Sequence, residues 1–205
     1  MKEKFAEIKE IKYPVLIFIG LMLLGVILGS FCAVYLPQNQ RDVLESYVLD
    51  NIYSADKYDT AQIESKERIG RYFLNDLKLY AIMAALAFTV VAPYGCGLVI
   101  LYQGFTIGFT SALLLQLTMA KGMLFILLAV MPQNAIRMAI IMFLSIFIVK
   151  FSSVRKQSTP QASKANTMKL LTIVAICLIL NLIVNFIEAY VTPGIVTALK
   201  GYLIR

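Results

Sequence analysis

The chain contains no histidine, and that absence alone removes Ser-His-Asp and Cys-His nucleophile pairs, H-E-x-x-H zinc sites and imidazole proton shuttles. Charge is scarce: Asp, Glu, Lys and Arg make up 15% of the residues, against about 25% in soluble domains. The three cysteines, Cys32, Cys96 and Cys177, fall in separate apolar runs without C-x-x-C spacing, which suggests neither a disulfide framework nor a metal site and leaves them as small hydrophobes. No catalytic, cofactor-binding or metal-ligating set is expected.

Apolar residues fill the space that charge leaves. They account for 60% of the 205 residues, with a mean hydropathy of +0.77, far above the soluble norm of about 45 to 50%. A soluble fold of this length cannot bury so much apolar surface, because even a 300-residue domain hides only about 75% of what its chain exposes. Lipid must cover the remainder, so the chain reads as an all-α, polytopic integral membrane protein. The net charge of +7 is not spread over a water-facing surface as nucleic-acid binding requires; much of it sits in one short loop between apolar runs and reads as topology signal.

A bilayer core takes roughly 20 apolar residues per helix, and five segments qualify, over about 14–36, 77–92, 97–118, 122–149 and 168–192. Pro14 is expected in the first turn of the first helix, with Pro37 ending it. The long apolar stretch from Leu77 is split at Pro93-Tyr94-Gly95-Cys96-Gly97, and Pro193-Gly194 is expected to stop the fifth span. The first apolar run is too long for a signal peptide, its leading segment carries three Glu, and no A-x-A site follows, so it reads as a retained anchor. Phe31 before Cys32 argues against lipoprotein cleavage.

Residues 37–78 hold six basic and eight acidic side chains, whereas 150–169 hold five basic and no acidic ones. The positive-inside rule makes the second loop cytoplasmic. Five spans then place the N-terminus inside, the 37–78 loop outside and the C-terminus outside. The whole reads as a single membrane domain. Within the outer loop Leu44, Tyr47, Val48 and Ile52 recur at helical spacing, as do Ile69, Phe73 and Leu77, so two amphipathic helices are expected there. Their apolar faces either pack on the bundle or dock an extracytoplasmic partner, with Leu44, Tyr47, Ile52, Ile69 and Phe73 as the candidate contacts. The basic loop, rich in Ser, Gln, Lys and Ala, reads as a flexible tether.

Gly25-x-x-x-Gly29 and Gly104-x-x-x-Gly108 have the spacing that lets helix backbones approach closely in lipid, either within the chain or between copies in a homo-oligomer. An ionisable group at the centre of a span costs roughly 2.5 to 3.5 kcal/mol on insertion scales and marks a functional candidate. Arg137 and Glu188 are the two such groups. Glu188 lies about eight residues, roughly 12 Å, outward of the middle of its span, so pairing with a mid-span Arg137 requires displacement. A break of span four at Pro132 would supply it. Pro132-Gln133-Asn134 places freed carbonyls and amide donors together, which is tolerated only where protein or water covers them; the cluster is either a kink satisfied by neighbouring helices or a binding or gating position.

The run Gly104-Phe105-Thr106-Ile107-Gly108-Phe109, the Lys121-Gly122 turn, the segment Ala129-Val130-Met131-Pro132-Gln133-Asn134 and the closing Ile187-Glu188-Ala189-Tyr190-Val191-Thr192-Pro193 together resemble the stage II sporulation protein M family, in the same order over essentially the whole chain. Wider relatives carry Pro-His-Gly followed by a Glu in span four; here Gln133 and Asn134 follow the proline, as in the sporulation branch, and Arg137 stands where that Glu falls. Any role of that Glu does not transfer. The resemblance implies a cell-membrane scaffold acting during forespore engulfment. Its partners in that family are the stage II sporulation proteins D and P, a lytic transglycosylase and an amidase/endopeptidase that thin septal peptidoglycan.

Two other classes compete with the scaffold. A permease subunit working with a cytoplasmic ATPase would line a path with Pro93, Pro132 and Arg137. An intramembrane enzyme has least support, since Glu188 is the only acid expected inside a span and acid/base work needs a partner for it.

Overall fold

Runs of Leu, Ile, Val and Phe carry no side-chain group that competes for the backbone, and in lipid only a helix or a closed barrel satisfies every main-chain N–H and C=O. The computed structural model resolves this choice in favour of helices: the described residues, 2–44, 46, 61–125, 131–155 and 160–203, contain no strand. Five long helices follow one another, α1 (Lys2–Val34), α2 (Ala61–Leu86), α3 (Ala92–Phe125), α4 (Met131–Arg155) and α5 (Pro160–Leu203). A short helical segment over 38–44 follows α1, opened by Arg41 N–H donating to the Pro37 carbonyl.

Among the described residues, four stretches are long and apolar enough to cross a membrane: Tyr13–Val34, Ala92–Gln116, Met131–Ser153 and Lys164–Glu188. The expected second span, 77–92, is not among them. Its residues 77–86 are the C-terminal part of α2, whose polar first half and apolar second half form one continuous 26-residue helix. Ile69, Phe73 and Leu77 therefore lie on the same helix as Tyr80 and Met83 rather than on a separate loop helix.

Several boundaries differ from the sequence reading. Pro14 lies inside α1, not in its first turn. The break after α2 falls at 87–91, earlier than the Pro93 to Gly97 cluster, because Pro93 sits at the start of α3, where its missing N–H costs nothing. Lys121-Gly122 is helical, within α3. The described residues of the expected tether, 152–167, are helical as well, with α4 running to Arg155 and α5 starting at Pro160. Pro193 and Gly194 lie within α5 instead of stopping it.

The two G-x-x-x-G pairs face each other. A Cβ added to Gly25 would collide with the Leu101 carbonyl, one on Gly29 with that of Phe105, one on Gly104 with that of Met22 and one on Gly108 with that of Val26. Residue numbers rise together along both helices, so α1 and α3 run parallel, backbone against backbone. Ser30 Oγ donates across this seam to the Gly108 carbonyl at 3.3 Å. The seam is thus an intrachain contact, and α1 packs almost wholly on α3.

The apolar core lies where α2, α3, α4 and α5 meet, with Tyr80, Met83, Cys96, Ile100, Ile141, Leu144, Ile148, Leu170 and Cys177 buried and Phe18 of α1 reaching it. At one end of the bundle, Ser152 Oγ of α4 donates to the Thr89 carbonyl at 3.0 Å, and Phe88 meets Phe151 edge to face at 5.9 Å. Pro14, Pro93 and Val149 line one groove at this same end. The opposite end carries Arg41 of the short segment, which bonds Gln116 of α3, and the polar residues described next.

Candidate functional site

Arg137 is six residues into α4, about 9 Å from its start at 1.5 Å per residue. The sequence reading put it near mid-span because it began span four at 122. Since α4 begins at Met131, with Pro132 in its first turn, Arg137 lies toward the end of the bundle at which Glu188 of α5 also sits. The two meet directly. Arg137 Nη2 is 3.0 Å from Glu188 Oε2, both side chains being 21% exposed. The same nitrogen donates to Asn185 Oδ1 at 2.6 Å, while Asn185 Nδ2 donates to Asp76 Oδ2 of α2 at 2.5 Å.

One asparagine thereby joins three helices. Asn185 is 1% exposed and uses its amide in both directions, accepting from the guanidinium and donating to the carboxylate. Such charge-assisted bonds are worth about 1.5 to 3 kcal/mol each when buried. They also orient the Arg137 fork, although its Nε is buried without a partner.

The network contains two carboxylates and one guanidinium. Asp76 falls in the 37–78 stretch between the first two expected spans, which the sequence reading places outside the bundle, and Asn181 and Asn185 carry no charge that stands out in an apolar run. The missed signal was periodic: Asn181, Asn185 and Glu188 follow one another at spacings of four and three, which puts all three on one face of α5. Asn181 is 1% exposed and Tyr80 of α2 is fully buried; neither the Asn181 amide nor the Tyr80 hydroxyl has a hydrogen-bond partner.

The remaining sequence candidates separate. Gln133 and Asn134 are half-buried in the first turn of α4, and neither lacks a partner. Phe73 is half-buried on α2 and Leu44 half-buried at the end of the short segment. Ile69 belongs to α2; its side chain lies outside the described residues, as do Tyr47 and Ile52 altogether. Gly25, Gly29, Gly104 and Gly108 form the α1–α3 seam and take no part in the polar network.

Comparison with curated proteins and with solved structures yields no match. The profile of the family described as Stage II sporulation protein M matches residues 17–193, a stretch that includes the α1–α3 seam and every member of the polar network. With most of its length matched from the first apolar helix to the Pro193 region of α5, the chain belongs to the stage II sporulation protein M family.

Proposed function

We propose that this chain is a non-enzymatic membrane scaffold that recruits peptidoglycan-degrading enzymes, the stage II sporulation proteins D and P, during engulfment of the forespore. Family membership over residues 17–193 is the observation that carries the reading, and it implies a part in sporulation engulfment. Recruitment of exported hydrolases requires a surface on the wall side of the membrane.

The packing supports such a surface. Parallel helices in contact along their lengths must be entered from the same side of the bilayer, so if α1 and α3 both cross, the chain must return between them. Among the described residues between them, α2 has enough length, about 39 Å for its 26 residues against a hydrocarbon core of about 30 Å. Counting α2 gives five crossings. Ser152, Thr89 and Pro14 then share one side with the basic segment 150–169, which the positive-inside rule makes cytoplasmic. The residues after α1, including Leu44, Tyr47 and Ile52, and the first half of α2 with Ile69 and Phe73, face the wall. The C-terminus is extracytoplasmic in this arrangement.

A permease path loses its motivating residues. Pro132 opens a helix instead of breaking one, and Arg137 is held by Asn185 and Glu188. The test is to purify tagged protein in mild detergent from cells at asymmetric septation and identify the bound proteins by mass spectrometry. Recovery of exported hydrolases, lost when residues 47–60 are replaced by a Gly/Ser linker of equal length, is the expected result. Recovery of a cytoplasmic ATPase without any wall enzyme would overturn it.

A further inference from the structure

Asp76 and Asn185 fix the register of the antiparallel α2 and α5. One turn deeper on each helix stand Tyr80 and Asn181, which the same register brings to one level, about 6 Å further into the bundle at 1.5 Å per residue. Tyr80 lies within electrostatic reach of Asp76, Arg137 and Cys177. Both side chains are at least 99% buried, and the Tyr80 hydroxyl and both polar atoms of the Asn181 amide lack any hydrogen-bond partner. An apolar bundle gains nothing from such groups: each costs about 1 to 3 kcal/mol unless something satisfies it.

The charge directly above is unbalanced. Asp76 and Glu188 supply two negative charges and Arg137 one positive charge, and Arg137 is already committed to Asn185 and Glu188. Among the described residues, the hydrogen-bond partner of Asp76 is a neutral amide. A carboxylate, an amide carbonyl and a phenol oxygen are hard donors, which suit a hard cation and not a transition metal. Among the described residues no three His, Cys, Asp or Glu side chains converge on a metal position, and the single uncompensated charge favours a monovalent ion.

We propose that Asp76, Tyr80 and Asn181 form an internal site for a hydrated alkali-metal cation, entered from the outer end of the bundle, that ties α2 to α5. The Asp76 carboxylate neutralises the ion, Asn181 Oδ1 and the Tyr80 hydroxyl oxygen coordinate it from below, and the Asn181 NH2 donates to one of its waters. All three orphaned polar atoms are satisfied at once.

The test is thermal unfolding of the purified full-length protein in detergent, in sodium chloride, potassium chloride or N-methylglucamine chloride at equal ionic strength. A cation bound only by the folded state raises the midpoint in proportion to the logarithm of its concentration above saturation. The expected result is a higher midpoint in sodium or potassium than in N-methylglucamine. That difference should be lost in Asp76→Asn and Asn181→Leu. In Tyr80→Phe, which keeps the ring and removes one ligand oxygen, the concentration giving half the effect should rise several-fold. Equal midpoints in all three salts would mean that water alone fills the site and would overturn the proposal. So would a sodium or potassium effect that survives both Asp76→Asn and Tyr80→Phe, whether or not Asn181→Leu folds.

Discussion

Asn185 and Arg137 show how one polar contact decides what a neighbouring charge costs. Alone in a span, Arg137 is a liability of a few kcal/mol; with Asn185 and Glu188 in place it holds α4 against α5. Arg137→Leu leaves the Glu188 carboxylate and Asn185 Oδ1 unpaired and should lower stability by about 2 to 3 kcal/mol, measured by thermal unfolding in detergent. The double variant Arg137→Leu/Glu188→Leu should recover part of that loss, because removing both charges together leaves neither stranded. A double variant no more stable than Arg137→Leu would show that the pair does not act as a unit. Arg137 and Glu188 were legible in the sequence, since a charge inside an apolar run stands out. The amides were not, and Asp76 was hidden by the surrounding charges of residues 37–78, because only the antiparallel packing of α2 on α5 brings it to Asn185.

Along an element, the glycines give the sharpest contrast. Gly29 and Gly108 have no room for a Cβ, whereas nothing lies within 4 Å of a Cβ on Gly20 of the same α1. Gly29→Leu should separate α1 from α3 and cost about 1 to 3 kcal/mol or more as overpacking against backbone. Gly20→Leu should be neutral or gain up to about 0.8 kcal/mol from helix propensity. Unfolding midpoints of the two variants, compared side by side, check the seam; equal effects would contradict it. The G-x-x-x-G spacing revealed which faces pack, but not that the two motifs pack on each other. Helix ends were harder to place. A proline can stand in a first turn, inside a helix or past its end with the same letter, and Pro132, Pro14 and Pro37 do one each here. What separates these outcomes is whether nearby helices accommodate the lost hydrogen bond, which is tertiary information.

At the scale of the molecule, the proposed five-crossing topology rests on the parallel α1–α3 pair, and α2 is the element that distinguishes it from four. In a cysteine-free background, Val90→Cys on the turn after α2 should react with an impermeant thiol reagent only after the cells are permeabilised. Asn51→Cys should react in intact cells, and Ser158→Cys should behave like Val90→Cys. Labelling of Val90→Cys from outside would mean that α2 does not cross. In the proposed topology the segment between α1 and α2, and not the polar network, is the surface that would meet exported enzymes. The decisive observation is where fluorescently tagged hydrolases go in sporulating cells whose scaffold carries Tyr47→Asp, Ile52→Asp or Phe73→Asp and still inserts at normal levels. Loss of the hydrolases from the septal membrane is predicted; normal septal localisation in all three variants would contradict recruitment through this surface.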